Sequence, residues 1–190
     1  DLATGYASLL VGQGRAHVRG VVPDARLLVA PVPSAVEPGA DLVIARAVRW
    51  AVRQRAELLV LPFGRSRFGR RVTDALHDAI ADGVRVFAAA GNLGAEVLAF
   101  PAAVTGVLAV TAHDGRGLLA QCSARADLAA PGRDVPAAGP RVRLHLHGSA
   151  PAAVLAAASH LAWCDAISRP DQEGDVVAAD DVWDTAALGA

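Results

Sequence analysis

The stretch VRVFAAAGNLGA, from Val84 to Ala95, decides the fold. Its first seven residues, 84–90, are apolar except for Arg85, which is typical of a strand covered on both faces of a sheet. The GNLG turn at 91–94 then follows the carboxyl end of that strand, where sites form in open α/β sheets. An Asn amide there can donate a hydrogen bond to charge developing on a carbonyl oxygen. Taken alone, Asn92 fits an ordinary turn residue better, so the neighbouring sequence has to decide its role.

Strand and helix patterns alternate on both sides of this stretch. Apolar residues recur at helical spacing in 41–54, which Asp41 can cap, and again in 71–82, where Gly83 supplies a left-handed stop. These stripes consist of Ile44, Ala47, Val48, Ala51 and Val52 in the first helix and Val72, Ala75, Leu76, Ala79 and Ile80 in the second. Strand-like runs occur at 26–30, 57–61, 84–90 and 105–111. The alternation predicts an α/β fold with right-handed crossovers and a mainly parallel sheet.

Segments from about residue 2 to about residue 168 resemble, in order, the motifs of subtilisin-like serine peptidases (subtilases, peptidase family S8). The matching segments are 21–32 with "GVAPxAxLxxxKV", 57–64 with the strand that ends in a Ser-Leu-Gly substrate ledge, 84–95 with the oxyanion-asparagine segment, 100–112 with "YPAxxPxVIAVGA", 128–132 with "DVxAPG" and 148–153 with "GTSMAxP". The resemblance implies a three-layer subtilisin-like domain over 1–168, with helices on both faces of the sheet and the N-terminal strand missing. Residues 169–190 are predicted to form an acidic tail or a short helix.

The catalytic positions of the family are degenerate in this chain. A serine peptidase needs a hydroxyl nucleophile, an imidazole base and a carboxylate that orients the imidazole. Alignment with "GHGTHVAG" through Thr4 and Ala7 puts Leu2 at the base position, and Ala150 stands third in "GTS" at the nucleophile position. The strand that carries the family's aspartate would precede Asp1. Of the four principal groups, the resemblance leaves only Asn92, so the sequence predicts an inactive member.

Two alternatives would restore catalysis. Ser149 could serve as the nucleophile if the alignment slipped by one residue, with His145 or His147 as its base, although the slip would displace Gly148 from its matched position. Alternatively, another chain could supply the aspartate and histidine, but Ala150 would still leave no nucleophile.

The resemblance also implies a groove that holds peptide as an added strand, through main-chain hydrogen bonds. Pro62, Phe63 and Gly64 match one backbone ledge of this groove, with Pro62 in place of the usual Ser and Phe63 in place of Leu. Ala89, Ala90 and Gly91 match the floor of the primary specificity pocket, next to Asn92. The plainer interpretation is that these residues only finish their strands.

Composition narrows the other functions. The 190 residues suit one α/β domain, and 53% of them are hydrophobic with a net charge of -1. The near-zero charge and the lack of interleaved aromatic residues argue against nucleic acid binding, although Arg65, Arg67, Arg70 and Arg71 form a basic cluster that could hold an acidic partner. No apolar run reaches the ~18–20 residues of a membrane span. The sequence contains no Met and begins with Asp1, so we expect a processed product or a piece of a longer protein. A signal peptide upstream would not be visible, and the sequence therefore does not indicate the cellular compartment.

The sequence gives little indication of a metal site, a disulfide or a cofactor. The six histidines show no metal-binding spacing, and His145 and His147 lack further ligands. Cys122 and Cys164 are interpreted as buried free thiols, and no cofactor is expected. The sequence therefore predicts a catalytically inactive subtilisin-like pseudopeptidase that binds a peptide or protein partner, with a peptide-processing assembly as one setting. A structural half-domain whose sheet a partner chain completes, and an endopeptidase with noncanonical residues, are the alternatives.

Overall fold

A computed structural model describes residues 2–14, 17–32, 39–66, 69–119, 121–122 and 125–168. Its helices are α1 (Leu2–Val11), α2 (Ala40–Arg53), α3 (Arg70–Ala81) and α4 (Ser149–Ser168). Its strands are β1 (Leu58–Leu61), β2 (Arg85–Ala89), β3 (Leu108–His113), β4 (Leu128–Pro131), β5 (Val135–Ala138) and β6 (Arg143–Leu146). The predicted terminal segment 169–190 lies outside the described residues, as does Arg67.

The central sheet has four parallel strands in the order β1-β2-β3-β4, and β5 pairs with β6 as an antiparallel ribbon. The parallel sheet confirms the predicted fold class, and strands occupy three of the four strand-like runs. The fourth, 26–30, is not a strand. Arg26, Val29 and Ala30 are exposed, and none of the described strands offers that segment a backbone partner. A strand requires such a ladder, so an extended sequence pattern was not sufficient there.

Helices α2 and α3 cover one face of the sheet. Most residues of both predicted apolar stripes pack with Leu61, Val86 and Phe100 in one core cluster. Ala47 and Ala51 are not part of it, and Ala47 is only half-buried. Gly83 ends α3 as predicted, with φ of 87° and its N–H bonded to the carbonyl of Ile80. The predicted cap of α2 is wrong: Gly39 is the N-cap residue, and Asp41 lies in the first turn of the helix.

Helix α4 covers the other face of the sheet, and α1 packs beside it. The first ten residues of α4 are mostly buried against Phe87, Val110 and Ala130, with Val154 and Leu155 in a neighbouring cluster beneath α1. Within the described ranges, α4 is the one helix whose length and mean hydropathy, 1.3, would let it cross a membrane. A helix that is buried in the core of a domain meets the same criterion.

Candidate functional site

The turn after β2 brings the loops at the carboxyl ends of the strands together. Ala90 donates its N–H to the carbonyl of Val110 on β3, at 2.8 Å, and its own carbonyl accepts the N–H of Ala99, also at 2.8 Å. Gly91 then turns the chain with φ of 104°, a value that favours glycine. Asn92 therefore leaves the sheet at the edge where sites form in α/β proteins.

The side chain of Asn92 joins this turn to the start of α4. Its Oδ1 accepts hydrogen bonds from the Ser149 N–H and the Ser149 Oγ, both at 3.0 Å, and from the Cys122 Sγ at 3.2 Å. Since an N–H donor fixes which amide atom faces α4, the Nδ2 of Asn92 remains as the free donor of the amide. Asn92 is exposed as a residue, and among the described residues no hydrogen bond engages its Nδ2.

Gly148 allows this close approach. It has φ of 92°, and a Cβ placed there would lie 2.6 Å from the Nδ2 of Asn92. Its N–H is bonded to the carbonyl of Gly132, at the end of β4. We call Asn92, Cys122, Gly148 and Ser149 the Asn92 cluster.

Cys122 is the member of the cluster that sequence reasoning did not find. It is buried and free, as predicted, and burial raises the pKa of its thiol, an effect that hydrogen bonds from backbone N–H groups only partly offset. A protonated thiol is what the hydrogen bond to Asn92 requires. Cys122 lies 30 residues from Asn92, and no local sequence pattern predicts a contact over that separation. The same prediction is wrong for Cys164, which is exposed at the end of α4.

Ser149 is engaged on both sides. It is buried, its Oγ accepts the N–H of Gly91 at 3.1 Å, and the same Oγ donates its proton to Asn92. Among the described residues, no hydrogen bond joins it to an imidazole. The Nε2 of His147 lies 3.3 Å from the Asp134 Oδ1, and His145 is exposed on β6. The geometry required for a Ser149–His147 proton transfer is therefore not formed here.

Leu2 and Ala150 occupy the starts of two helices that pack against each other, α1 and α4. Leu2 is 59% exposed, and Ala150 is half-buried against the cluster that contains Phe87. Their side chains are hydrocarbon and can neither attack a carbonyl nor transfer a proton.

The predicted ledge follows directly from β1. Pro62 and Phe63 are half-buried, Gly64 is exposed, and Arg65 exchanges two backbone hydrogen bonds of 2.9 Å with Phe100. Because neighbouring residues of an extended chain turn their backbone groups to opposite sides, those of Gly64 face away from Phe100. The ledge therefore has backbone groups available for an added strand.

Arg65 fixes the ledge to α2 and to the sheet. Its guanidinium forms an ion pair with Asp41 and lies 5.1 Å from the centre of the Phe100 ring. Part of the predicted Arg cluster is thus structural rather than a binding patch. Arg70 forms a weaker contact of 4.0 Å with Asp74 in the next helical turn, and Arg71 is exposed.

The predicted pocket floor lies beside the ledge. Ala89, Ala90 and Gly91 are all buried, and the methyl group of Ala99 packs against both Gly91 and Gly64. A Cβ on either glycine would lie within 2.8 Å of that methyl group, so the floor and the ledge meet with no space for larger side chains. The described ranges also hold no group of three or more His, Cys, Asp or Glu residues suited to a metal ion.

The described residues thus form parallel strands between two helical layers, with an asparagine amide and a backbone ledge at the carboxyl ends of the strands. Sequence comparison gives 34% identity to alkaline elastase YaB from Bacillus sp. (strain YaB) over 118 residues, which is 60% of this chain and 31% of the elastase. Subtilisin BL from Lederbergia lenta is 34% identical over 121 residues, 62% of this chain and 45% of that protein. The sequence and the shared architecture identify the chain as subtilisin-like.

Solved structures agree with this assignment. The prenylagaramide maturation protease PagA superposes with a TM-score of 0.77 and 26% identity, over 88% of this chain and 65% of that one. The patellamide maturation protease PatA superposes with a TM-score of 0.76 and 28% identity, over 88% of this chain and 66% of that one. The PatG macrocyclase in complex with peptide superposes with a TM-score of 0.69 and 25% identity, over 86% of this chain and 55% of that one. No protein-family model matches the chain. It spans about a third to a half of the length of the curated relatives it matches.

Proposed function

We propose that this protein is a catalytically inactive subtilisin-like pseudopeptidase that binds an extended peptide. The observation that carries the inactivity is the state of Ser149, the hydroxyl that stands beside Ala150. Its oxygen and its proton are both committed to hydrogen bonds with Gly91 and Asn92, and Ser149 itself is buried. Leu2 and Ala150 add no reactive atom. Loss of triad members costs on the order of a millionfold in rate, which removes useful turnover.

Peptide binding is supported by the groups left unengaged at the same edge. The ledge presents the backbone of Gly64 and the carbonyl of Pro62, and Asn92 presents its Nδ2. A strand added to the ledge would gain main-chain hydrogen bonds, with small apolar side chains favoured above the floor of Ala89 and Ala90. Among the structural neighbours, PagA and PatA are maturation proteases and PatG was solved with a peptide. A role in a peptide-processing assembly follows from those neighbours as part of the proposal.

The inactivity is tested with a serine-directed fluorophosphonate probe on the full chain, beside an active subtilisin as the positive control. We expect no labelling. Labelling that disappears in the Ser149→Ala variant would identify an endopeptidase with noncanonical residues and would overturn the assignment.

Peptide binding is tested with acetylated alanine-rich hexapeptide amides, by titration while the amide signals of Gly64 and the Asn92 side chain are recorded by NMR. The matched controls are the same peptides N-methylated at alternate positions. In one of the two methylated peptides, the N–H groups that bind the ledge are removed. This peptide should bind about tenfold more weakly or worse, since each lost hydrogen bond costs about 0.5–1.5 kcal/mol. Methylation in the other register should have little effect. Equal effects of both registers, or no binding at about 1 mM, would contradict a strand-addition groove.

A second function, a half-domain whose sheet a partner chain completes, is favoured by one observation: β1 is an edge strand of the described sheet, and three of its four side chains are only partly buried. The half-domain function predicts that the protein isolated from its source sediments as a stable heteromer. A protein that sediments only as a monomer would exclude it.

A further inference from the structure

Helix α4 carries a thiol and an imidazole side by side. His160 and Cys164 are four residues apart, a spacing that puts two side chains on the same face of a helix. The Sγ of Cys164 lies 3.6 Å from the Nε2 of His160. Because the pair combines one histidine with one cysteine, spacing among the histidines alone does not reveal it. The pair is separate from the Asn92 cluster, since Cys164 lies about 22 Å along the helix from Ser149.

The distance between these two atoms is that of neighbouring ligands in a tetrahedral metal site. Zinc binds a cysteine sulfur at about 2.3 Å and a histidine nitrogen at about 2.0–2.1 Å, with tetrahedral geometry. Those lengths and angles place the sulfur and the nitrogen about 3.5–3.6 Å apart. One Zn²⁺ ion can therefore bind both atoms without a change in their separation.

The surrounding structure holds the two ligands in place. The ring of His160 is half-buried and packs against the ring of Phe87 in β2, with the ring centres 5.4 Å apart and the planes inclined by 48°. Cys164 is exposed as a residue, so the pair lies at the surface of the described chain. The hydroxyl of Ser168 donates a hydrogen bond of 2.8 Å to the carbonyl of Cys164 and stabilises the last turn of the helix. Ligands that packing holds in position lose little conformational freedom when a metal binds.

The charge at this end of α4 favours a cation. The carboxyl end of a helix carries about half a negative charge, and the last turn of α4 contains no basic residue. A divalent cation bound near that end would be stabilised by the partial charge. Sulfur and imidazole nitrogen together favour zinc, whereas Mg²⁺ and Ca²⁺ prefer oxygen ligands.

We infer that His160 and Cys164 form a two-ligand site on one chain for a thiophilic cation, Zn²⁺ in particular. The neutral imidazole binds the ion through the lone pair of Nε2, and the thiolate of Cys164 binds it through Sγ. Within the described ranges no third His, Cys, Asp or Glu side chain completes the group, so water fills the remaining positions. Binding replaces the thiol proton, which passes to the solvent, so affinity for the ion rises with pH. The site does not depend on the proposed peptide binding.

Titration of the full chain with Co²⁺ tests the assignment, because Co²⁺ accepts the same ligands as Zn²⁺ and absorbs light when it is bound. The sulfur-to-cobalt charge-transfer band reports ligation by cysteine, so carboxylates elsewhere do not produce it. We expect this band to appear in the presence of excess Mg²⁺ and to disappear when Zn²⁺ is added. Cys164→Ser should abolish the band. His160→Gln should weaken Co²⁺ binding about tenfold or more, since even partners outside the ligand shell contribute about 10–100-fold.

The matched controls are Cys122→Ala and His145→Gln, which replace the other cysteine of the chain and an exposed histidine of β6. Both should keep the band and the affinity of the parent protein, and circular dichroism verifies that each variant is folded. The absence of a charge-transfer band at about 1 mM Co²⁺ would overturn the proposal. A band that survives Cys164→Ser, or an affinity that is unchanged in His160→Gln, would also overturn it. A band that requires a dimer, detected by light scattering, would assign further ligands to a second copy and would overturn the one-chain site.

Discussion

At the scale of single residues, the Asn92 cluster explains how Ser149, the serine next to Ala150, can be structural. Two loops that follow β2 and β6 meet at the start of α4, and the polar groups of Ser149 and Cys122 must be paired because both residues are buried. Ser149 donates and accepts within this network, while Asn92 gathers three donors on one oxygen. The hydroxyl thus stabilises the contact between the sheet and the helix.

Gly148→Ala should be strongly destabilising, since it combines a backbone at φ of 92° with a Cβ 2.6 Å from Asn92. Gly115→Ala is the matched control: its φ is 82°, and a Cβ there meets nothing within 4 Å. The control should cost about 1–2 kcal/mol in free energy of unfolding from the left-handed backbone alone. Gly148→Ala should cost more, measured by urea denaturation, and equal losses would contradict the close packing of the cluster.

The Cys122 thiol should make stability fall at alkaline pH. Burial raises its pKa above the ordinary value of 9.0, so the folded state holds the proton more tightly than the unfolded state does. The resulting stabilisation is complete below about pH 9 and is lost as the pH rises through the folded pKa. The free energy of unfolding should therefore drop as the pH rises from about 9 to about 10, and the drop should be smaller in Cys122→Ala.

Cys164→Ala is the control for this pH dependence, because Cys164 is exposed. It should retain the full decline of the parent protein. The pKa of Tyr6 is also raised by burial, from 10.0, so the comparison is made no higher than about pH 10. A decline of the same size in Cys122→Ala and in the parent would show that the thiol does not contribute.

At the scale of the elements, the ledge is held by contacts that link three of them. Arg65 follows β1, pairs with Asp41 in the first turn of α2, and lies over Phe100 in the loop before β3. Only 10% of the Arg65 side chain is exposed, so this ion pair is less screened than a surface pair. The orientation of Pro62–Gly64 therefore depends on a helix that starts more than 20 residues earlier.

A double-mutant cycle on Arg65→Ala and Asp41→Ala should show a coupling energy of about 1–3 kcal/mol, as expected for contacting residues in one network. The cycle on Arg70→Ala and Asp74→Ala is the matched control, since both side chains are largely exposed and lie one turn apart on α3. That coupling should be about 0.3–0.5 kcal/mol. Similar couplings for the two pairs, from unfolding free energies, would refute a special role for Arg65.

At the scale of the whole molecule, one parallel sheet separates two apolar layers. Leu76 on α3 lies in the layer beneath α2 and α3, whereas Leu155 on α4 lies in the layer beneath α1 and α4. Both layers contact the same strands, because successive side chains of a strand point to opposite faces. The described part of the chain should therefore unfold as one cooperative unit.

Leu76→Ala and Leu155→Ala should each lower the free energy of unfolding by about 2–5 kcal/mol, the cost of a cavity in a packed core. Leu42→Ala, at an exposed position of α2, should cost far less. Near- and far-ultraviolet circular dichroism should report one coincident transition in all three variants. A transition that splits for only one of the two core variants would mean that the layers unfold separately.

The sequence predicted the elements well where a single periodicity dominates. Most residues of the α2 and α3 stripes and the apolar run of β2 are buried as predicted, because each pattern is complete within its own segment. The prediction of a strand at 26–30 was wrong, because strand formation depends on a neighbouring strand. The prediction of Asp41 as a helix cap was also wrong, because Asp41 pairs with Arg65, 24 residues away. The members of the Asn92 cluster could be listed in part from motifs, but their mutual hydrogen bonds could not.

By itself, the sequence determined that this is a parallel α/β domain of the subtilisin type and that Leu2 and Ala150 carry no reactive atoms, because side-chain chemistry and local periodicity are written in the chain. Only the tertiary structure decided that Ser149 and Cys122 converge on Asn92, that Arg65 holds the ledge, and that β1 lies at the edge of the described sheet. Those features depend on distances between residues far apart in sequence, and such distances are set only when the helices and strands pack.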